Sequence, residues 1–150
     1  MGKRGDDITT SKLLTLVRGA DSFEQAMDYR DRVSEPVFHD TLFEMMQARG
    51  LTPKEMIRRS GIERSYFYHI LNGQKTPGRN MVLRIGFCMQ ASLQEMNQLL
   101  RLAGLSGLYV KIRRDATLIY AVQHRFTMDQ ANRLLRQAGE APLYLEEKDG

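Results

Sequence analysis

The fold is decided by the stretch from Leu51 to Pro77, which reads LTPKEMIRRSGIERSYFYHILNGQKTP. Thr52 can cap a helix that begins at Pro53, where the missing N–H of proline costs nothing, and Glu55 completes a capping box. Gly61 can take a positive φ and so end this helix in a tight turn. The first half of the stretch therefore predicts a short helix followed by a sharp change of direction.

A second short helix is predicted from about Arg64 to Leu71. Phe67 and Ile70 lie three residues apart and form its inward edge, while the polar side chains around them face outward. Asn72 and Gly73 end the helix. Two short helices joined by a tight turn, the second with one apolar edge and a basic rim, are typical of a helix-turn-helix that reads DNA.

These residues resemble the Cro/phage-repressor (Xre-type) helix-turn-helix family. The resemblance rests on Gly61, Ile62, Phe67, Ile70, Asn72, Gly73 and Pro77, and it continues through residues 81–95. It covers roughly residues 36 to 104 of the chain. It implies a five-helix DNA-binding domain that belongs to a transcriptional regulator and binds as a dimer.

A second feature is an internal repeat with a shift of 35 residues. SLQEMNQLLRLAGLSGLY (92–109) recurs as TMDQANRLLRQAGEAPLY (127–144), with eight of 18 positions identical. The helices predicted before these stretches, from Arg79 to Met89 and from Arg114 to His124, also fall at this shift. Each unit is thus a helix, a Ser or Thr cap, a second helix, a glycine C-cap and a Leu-Tyr tail. A period of this length suggests stacked hairpins. We therefore predict that the last two helices of the DNA-binding domain recur as a C-terminal helical hairpin.

The whole chain is predicted to be all-α, because no alternation typical of strands appears. We divide it into an N-terminal helical extension (1–35), the helix-turn-helix domain (36–109) and the C-terminal hairpin (110–150). Within the extension, short helices are predicted at 8–16 and 22–33, with Ser22 as a cap. The first helix of the DNA-binding domain is predicted to start at Ser34–Glu35–Pro36 and to run to Arg49.

The positive charge is concentrated in the middle of the chain. The net charge of +4 divides into −1 over 1–35, +2 over 36–77, +5 over 78–114 and −2 over 115–150. This distribution suits a surface that binds phosphates. No apolar run approaches 18 residues, so no membrane span is expected. A single cysteine suits a reducing compartment, and a cytoplasmic location is expected.

The resemblance also implies roles for the polar residues of the motif. The second helix is expected to enter the major groove and to read bases through Arg64, Ser65, Tyr68 and His69. Phosphate contacts are expected from Thr52, Lys54, Arg58, Tyr66, Asn72, Lys75 and Arg79. Tyr66 could instead pack on the first helix of the domain. Arg113 and Arg114 could extend the DNA surface or cap the Leu-Tyr tail of the preceding unit.

Three residues depart from the family pattern. Pro53 replaces a glutamine that often contacts phosphate, and Gln90 replaces the Gly or Asn expected at a helix end. Glu63 stands where Ser or Thr usually caps the second helix, so it is expected to cap poorly and to face DNA phosphates. These departures leave room for an alternative function, a protein–protein interaction adaptor that retains the scaffold and uses the hairpin repeat.

No enzyme, cofactor or metal site is expected. The chain has no glycine-rich phosphate loop, no GxSxG and no paired carboxylates set in an apolar run. Its three histidines, at 39, 69 and 124, lack the spacing of metal ligands. Cys88 lies on an apolar helix face and is interpreted as a core residue, with redox sensing as the lesser alternative. The expected partners are double-stranded DNA, a second copy of the chain and, through the hairpin repeat, a protein.

Overall fold

The computed structural model describes residues 10–32 and 36–145, and every regular element in these ranges is an α-helix. The helices are α1 (Thr10–Arg18), α2 (Phe23–Arg32), α3 (Phe38–Ala48), α4 (Pro53–Ser60), α5 (Arg64–Leu71), α6 (Arg79–Cys88), α7 (Leu93–Leu102), α8 (Arg113–Gln123) and α9 (Met128–Gln137). The prediction of an all-α fold is confirmed. The chain divides into two compact units, with the boundary after Pro36.

The first unit contains α1 and α2, which pack against each other. Ser22 caps α2, because its Oγ accepts a hydrogen bond from the Gln25 amide at 3.0 Å. The Gln25 side chain in turn accepts from the Asp21 amide at 2.7 Å. The predicted cap is confirmed, and α1 extends two residues past the predicted end, to Arg18. Residues 8, 9 and 33–35, which the predicted helices included, lie outside the described ranges.

The second unit, Val37–Gly150, has one hydrophobic core to which α3 to α9 all contribute. Leu42, Phe67 and Leu99 from the predicted DNA-binding domain are fully buried in it, and so are Leu118 and Leu135 from the predicted C-terminal hairpin. Burial of this apolar surface is the main force that stabilises the unit. The hairpin predicted at 110–150 is therefore packed into the same core as the helix-turn-helix.

Helix α3 begins later than predicted. Val37 is still extended (φ −104°, ψ 157°), and the helix starts at Phe38, whose side chain is buried. Beyond its C-terminal end, Arg49 connects α3 to α6 and α7: its Nε donates to the Met89 carbonyl at 2.8 Å, and its Nη2 lies 2.6 Å from Glu95 Oε1. Partial burial raises the pKa of Glu95, but hydrogen bonds from Arg49 and from the Ser92 amide lower it overall.

Helices α6–α7 form the first hairpin and α8–α9 the second, and both use the same local contacts at positions 35 residues apart. Each tail is fastened by an asparagine: Asn97 Oδ1 accepts from the Leu108 amide at 2.8 Å, and Asn132 Oδ1 accepts from the Leu143 amide at 2.6 Å. The second helix of each hairpin begins with a capping box. Gln90 and Arg125, also 35 residues apart, both take a left-handed conformation before it.

The two hairpins contact each other reciprocally. Arg79 of the first pairs with Asp115 of the second at 3.1 Å, while Arg114 of the second donates to Asn80 of the first at 2.8 Å. Helix α6 likewise contacts α9, and α7 contacts α8. If each residue is replaced by its counterpart 35 residues away, the Arg79–Asp115 contact becomes the Arg114–Asn80 contact, and the contact of α6 with α9 becomes that of α8 with α7. The hairpins therefore face each other as a matched pair, whereas the sequence period had suggested successive layers of a stack.

The start of each hairpin also holds its own tail. Arg79 donates to the Ser106 carbonyl at 2.7 Å, and Arg114 donates to the Ala141 carbonyl at 2.9 Å. Of the two roles left open for Arg114, the structure supports tail capping, but the tail belongs to its own hairpin and not to the preceding one.

Candidate nucleic-acid interface

The first helix of the motif starts as the sequence predicts. Thr52 Oγ1 accepts from the Glu55 amide at 3.2 Å, and the Glu55 carboxylate accepts from the Thr52 amide at 3.3 Å. Pro53 is the first helical residue. Hydrogen bonds from the backbone and hydroxyl of Thr52 lower the pKa of Glu55. The capping box fixes where α4 begins and thereby which side chains it exposes.

The turn between α4 and α5 is held from both sides. Gly61 has φ 68°, and Ile62 is buried beneath the turn. Ser60 is fully buried, and its Oγ accepts from the Ile62 amide at 3.1 Å. The Ser60 carbonyl accepts from Arg84 Nη2 of α6 at 2.6 Å. Sequence reasoning missed this contact, although a lone arginine in the apolar run from Met81 to Met89 was an available signal.

Helix α5 spans Arg64 to Leu71, as predicted. Phe67 and Ile70 are fully buried, whereas all four predicted base-reading side chains are exposed: Arg64, Ser65, Tyr68 and His69. The guanidinium carbon of Arg64 lies 5.4 Å from the centroid of the Tyr68 ring, one helical turn away. This cation–π contact supports the long arginine side chain from its own helix. The outer surface of α5 is therefore polar, with the positive charge of Arg64 in its first turn.

Glu63 caps α5, and the expectation that it would cap poorly is wrong. Its carboxylate accepts from the Ser65 amide at 3.2 Å and from the Tyr66 amide at 3.0 Å. These backbone hydrogen bonds lower the pKa of Glu63. A carboxylate at a helix N-terminus also interacts favourably with the helix dipole. The longer glutamate side chain thus accepts hydrogen bonds from the amides that a serine or threonine cap would bind.

The end of α5 is also as predicted. Asn72 is the C-cap, and its Oδ1 accepts from the Gln74 amide at 3.1 Å. Gly73 has φ 86°, and a Cβ there would lie 2.7 Å from the His39 ring. Only glycine fits both constraints without rearrangement. Lys75 follows on an exposed segment, so its ammonium is accessible to a phosphate.

The predicted phosphate-contacting residues fall into two groups. Five of them are exposed: Thr52, Lys54, Arg58, Asn72 and Lys75. Tyr66 is half-buried and packs against the core, which favours the alternative given for it. Arg79 belongs to the joint between the hairpins, that is, the contacts that Arg79 and Arg114 make with Asp115 and Asn80. There Arg79 binds the buried Asp115 and also the Ser106 carbonyl of its own tail. Because these contacts occupy its guanidinium, we assign Arg79 to the joint and no longer to the phosphate-contacting set.

Other kinds of site have little support in the part of the chain that the structure describes. Within 10–32 and 36–145, no three His, Cys, Asp or Glu side chains are grouped as metal ligands. Nor do these residues include a helix long and apolar enough to cross a membrane. Cys88 is buried beside Met128, and burial raises the pKa of its thiol to about 11. A thiol with this pKa is protonated at neutral pH and thus a weak nucleophile.

Comparison with known proteins agrees with this geometry. Residues 40–108 match a family model described as a helix-turn-helix domain. The match extends from α3 to the tail of the first hairpin and includes both motif helices. No curated protein and no solved structure matches the chain significantly. The chain therefore contains a helix-turn-helix domain, and such a domain indicates DNA binding.

Proposed function

We propose that this protein binds specific sequences of double-stranded DNA and acts as a prokaryotic transcriptional regulator of the Xre type, as a dimer. In this proposal α5 enters the major groove. The observation that carries it is the two-sided character of α5 within a helix-turn-helix domain: Phe67 and Ile70 are fully buried, while the opposite side is exposed and polar and includes Arg64. Any surface helix has a polar face, but this one carries Arg64, Ser65 and His69, whose side chains can hydrogen-bond base edges.

Arg64 is the strongest candidate for base readout. A guanidinium can donate two hydrogen bonds to O6 and N7 of guanine, which discriminates against other bases by roughly 1–3 kcal/mol. Arg64 stands in the first turn of α5, the part of a recognition helix that reaches base edges. Its contact with Tyr68 restricts the side chain before DNA arrives. Ser65 and His69 complete the proposed reading surface.

Phosphate binding is proposed to rest on Lys54, Arg58 and Lys75, the exposed cations of the expected set. Each phosphate neutralised by a cation steepens the dependence of log K on log salt by about 0.9. Three contacts in each of two protomers give a slope of about −5. Thr52 and Asn72 can add neutral hydrogen bonds, which fix the register on the duplex without adding to this slope.

Selection from a pool of random duplex DNA at about 0.15 M salt tests the proposal, because weak surface electrostatics are screened there. An enriched, two-fold symmetric motif would support a sequence-specific dimer, and an enriched asymmetric motif would refute the dimer alone. A charge control is Arg133→Ala, which removes an exposed arginine of α9 and should leave the motif unchanged. Absence of enrichment would refute the proposal and shift attention to the adaptor function.

A further inference from the structure

Arg84 connects the turn of the helix-turn-helix to the C-terminal tail of the chain. Its Nη2 donates to the carbonyl of Ser60, the last residue of α4, at 2.6 Å. Its guanidinium carbon lies 5.3 Å from the centroid of the Tyr144 ring. Its Nε is buried and has no hydrogen-bond partner among the described residues. The guanidinium thus lies between the turn and the tail, and its hydrogen bond among the described residues goes to the turn.

The second hairpin holds the Tyr144 ring in place. The Tyr144 carbonyl accepts from Asn132 Nδ2 of α9 at 3.1 Å, and the Tyr144 hydroxyl contacts the Asp129 carboxylate. Asn132 is fully buried, so this anchor lies inside the hairpin. The folded second hairpin therefore determines where the Tyr144 ring lies, and the ring in turn supports the guanidinium of Arg84.

The carbonyl that Arg84 binds has a special place in the motif. The last carbonyls of a helix carry partial negative charge and lack intrahelical partners, so a cation there is favourable. Directly after it, Gly61 turns the chain at φ 68°, and a Cβ at Gly61 would already lie 3.4 Å from Arg84 Nη2. The turn sets the direction in which α5 leaves α4. A small change in that direction would move Arg64 away from base edges.

We propose that Arg84 is a positioning residue for DNA recognition, and that the second hairpin, through Tyr144, sets the geometry of the helix-turn-helix turn. This inference rests on the proposed DNA-binding function, and it gives the hairpin a part in base readout without any contact to DNA. Backbone phosphate contacts tolerate small displacements better than paired hydrogen bonds to a base edge. The selected sequence should therefore lose affinity while random DNA does not.

The test uses Arg84→Met in the full chain, because methionine replaces the unbranched stem and removes the donor and the charge. We expect affinity for the selected sequence to fall roughly tenfold, a factor that corresponds to about 1.4 kcal/mol. Affinity for random duplex should stay unchanged, and hydrogen exchange at the Ile62 amide should accelerate. Thermal stability should fall, because the Ser60 carbonyl loses its hydrogen bond and the Tyr144 ring loses the cation.

Two substitutions at Tyr144 distinguish the role of its aromatic ring from that of its hydroxyl. Tyr144→Ala should reproduce the loss of specific affinity and the faster exchange at Ile62. Tyr144→Phe loses the hydroxyl contact with Asp129 but keeps the ring and the backbone bond to Asn132, so both effects should be smaller than in Tyr144→Ala. Tyr109→Ala is the matched control, because Tyr109 occupies the same position in the tail of the first hairpin and is 53% exposed. It should change neither quantity.

Unchanged exchange at Ile62 in both Arg84→Met and Tyr144→Ala would overturn the inference. An equal loss of affinity for selected and random DNA would overturn it too, since a purely structural residue would act in that way. A wild-type protein that does not prefer any sequence would refute the proposed function instead. The exchange measurement would then still decide whether the second hairpin controls the turn, so the two failures are distinguishable.

Discussion

Asp115→Ala should destabilise the protein by about 3 kcal/mol. The Asp115 residue is 3% exposed, and its carboxylate accepts from Arg79 Nη2 at 3.1 and 3.2 Å and from the Tyr109 amide at 3.0 Å. Loss of one partner of a buried ion pair costs roughly 3–5 kcal/mol, because the other charge is left uncompensated. We expect the lower end because the Arg79 side chain is 27% exposed and keeps its bond to the Ser106 carbonyl.

Urea unfolding of the full chain, followed by circular dichroism, measures this loss. With a dependence on urea of about 2 kcal/mol per molar, as in other small proteins, the midpoint should fall by about 1.5 M. The chain offers a matched control in Asn80→Ala. Asn80 stands 35 residues before Asp115 and makes the reciprocal contact to Arg114, but it is exposed. Its loss should cost less than about 1 kcal/mol.

Equal midpoint shifts in Asp115→Ala and Asn80→Ala would refute the reasoning, because burial would then not decide the cost of the two contacts. A shift for Asp115→Ala below about 0.5 M would refute it as well, since it would show that water replaces the carboxylate cheaply. A change in the urea dependence itself would indicate that the second hairpin unfolds separately from the rest of the unit.

Four further outcomes are expected. Arg64→Ala should relax preference at one position of the selected sequence by roughly 1–3 kcal/mol; equal losses on selected and random DNA would remove Arg64 from base readout. Lys75→Ala should weaken binding to all duplexes and make the salt slope shallower by about 0.9, whereas an unchanged slope would place Lys75 outside the interface. Glu63→Ser should keep α5 capped, since serine is a strong N-cap, and should tighten binding to all DNA; unaltered affinity would show that this carboxylate does not face phosphates. Because folding lowers the pKa of Glu95, its contribution to stability is present above the unfolded pKa and is lost as pH falls through the folded pKa. Glu95→Gln should therefore make the melting temperature fall less steeply at acidic pH in thermal melts recorded over a pH series. The same decline in both proteins would contradict this.

The helix-turn-helix was predictable because its signals are local. Thr52 and Glu55 close their capping box within one turn, and Gly61 and Gly73 mark the two places within residues 51–77 where φ is positive. Helix α5 consequently has the predicted bounds. The exposure of its polar face follows from the same pattern, since Phe67 and Ile70 fix which side is buried.

Long-range contacts were not predictable in this way. Arg79 at the start of a helix after the motif has the pattern of a phosphate contact, and nothing local marks Asp115 as its partner. The Ser34–Glu35–Pro36 sequence is typical of a helix start, yet α3 begins at Phe38, whose side chain is buried in the core. Glu63 was misjudged for a simpler reason, because average capping preferences do not include the reach of one particular carboxylate.

Two separate hairpins could make the reciprocal contacts of Arg79 and Arg114 only by meeting in solution, and such an association weakens when the protein is diluted. Here the segment 103–112 connects them, and a short connection provides an effective concentration on the order of millimolar. Pairing of the hairpins is therefore insensitive to how much protein a cell contains. The proposed dimer could therefore dissociate from DNA at low concentration, while in each chain Arg84 would keep its contacts with Ser60 and Tyr144.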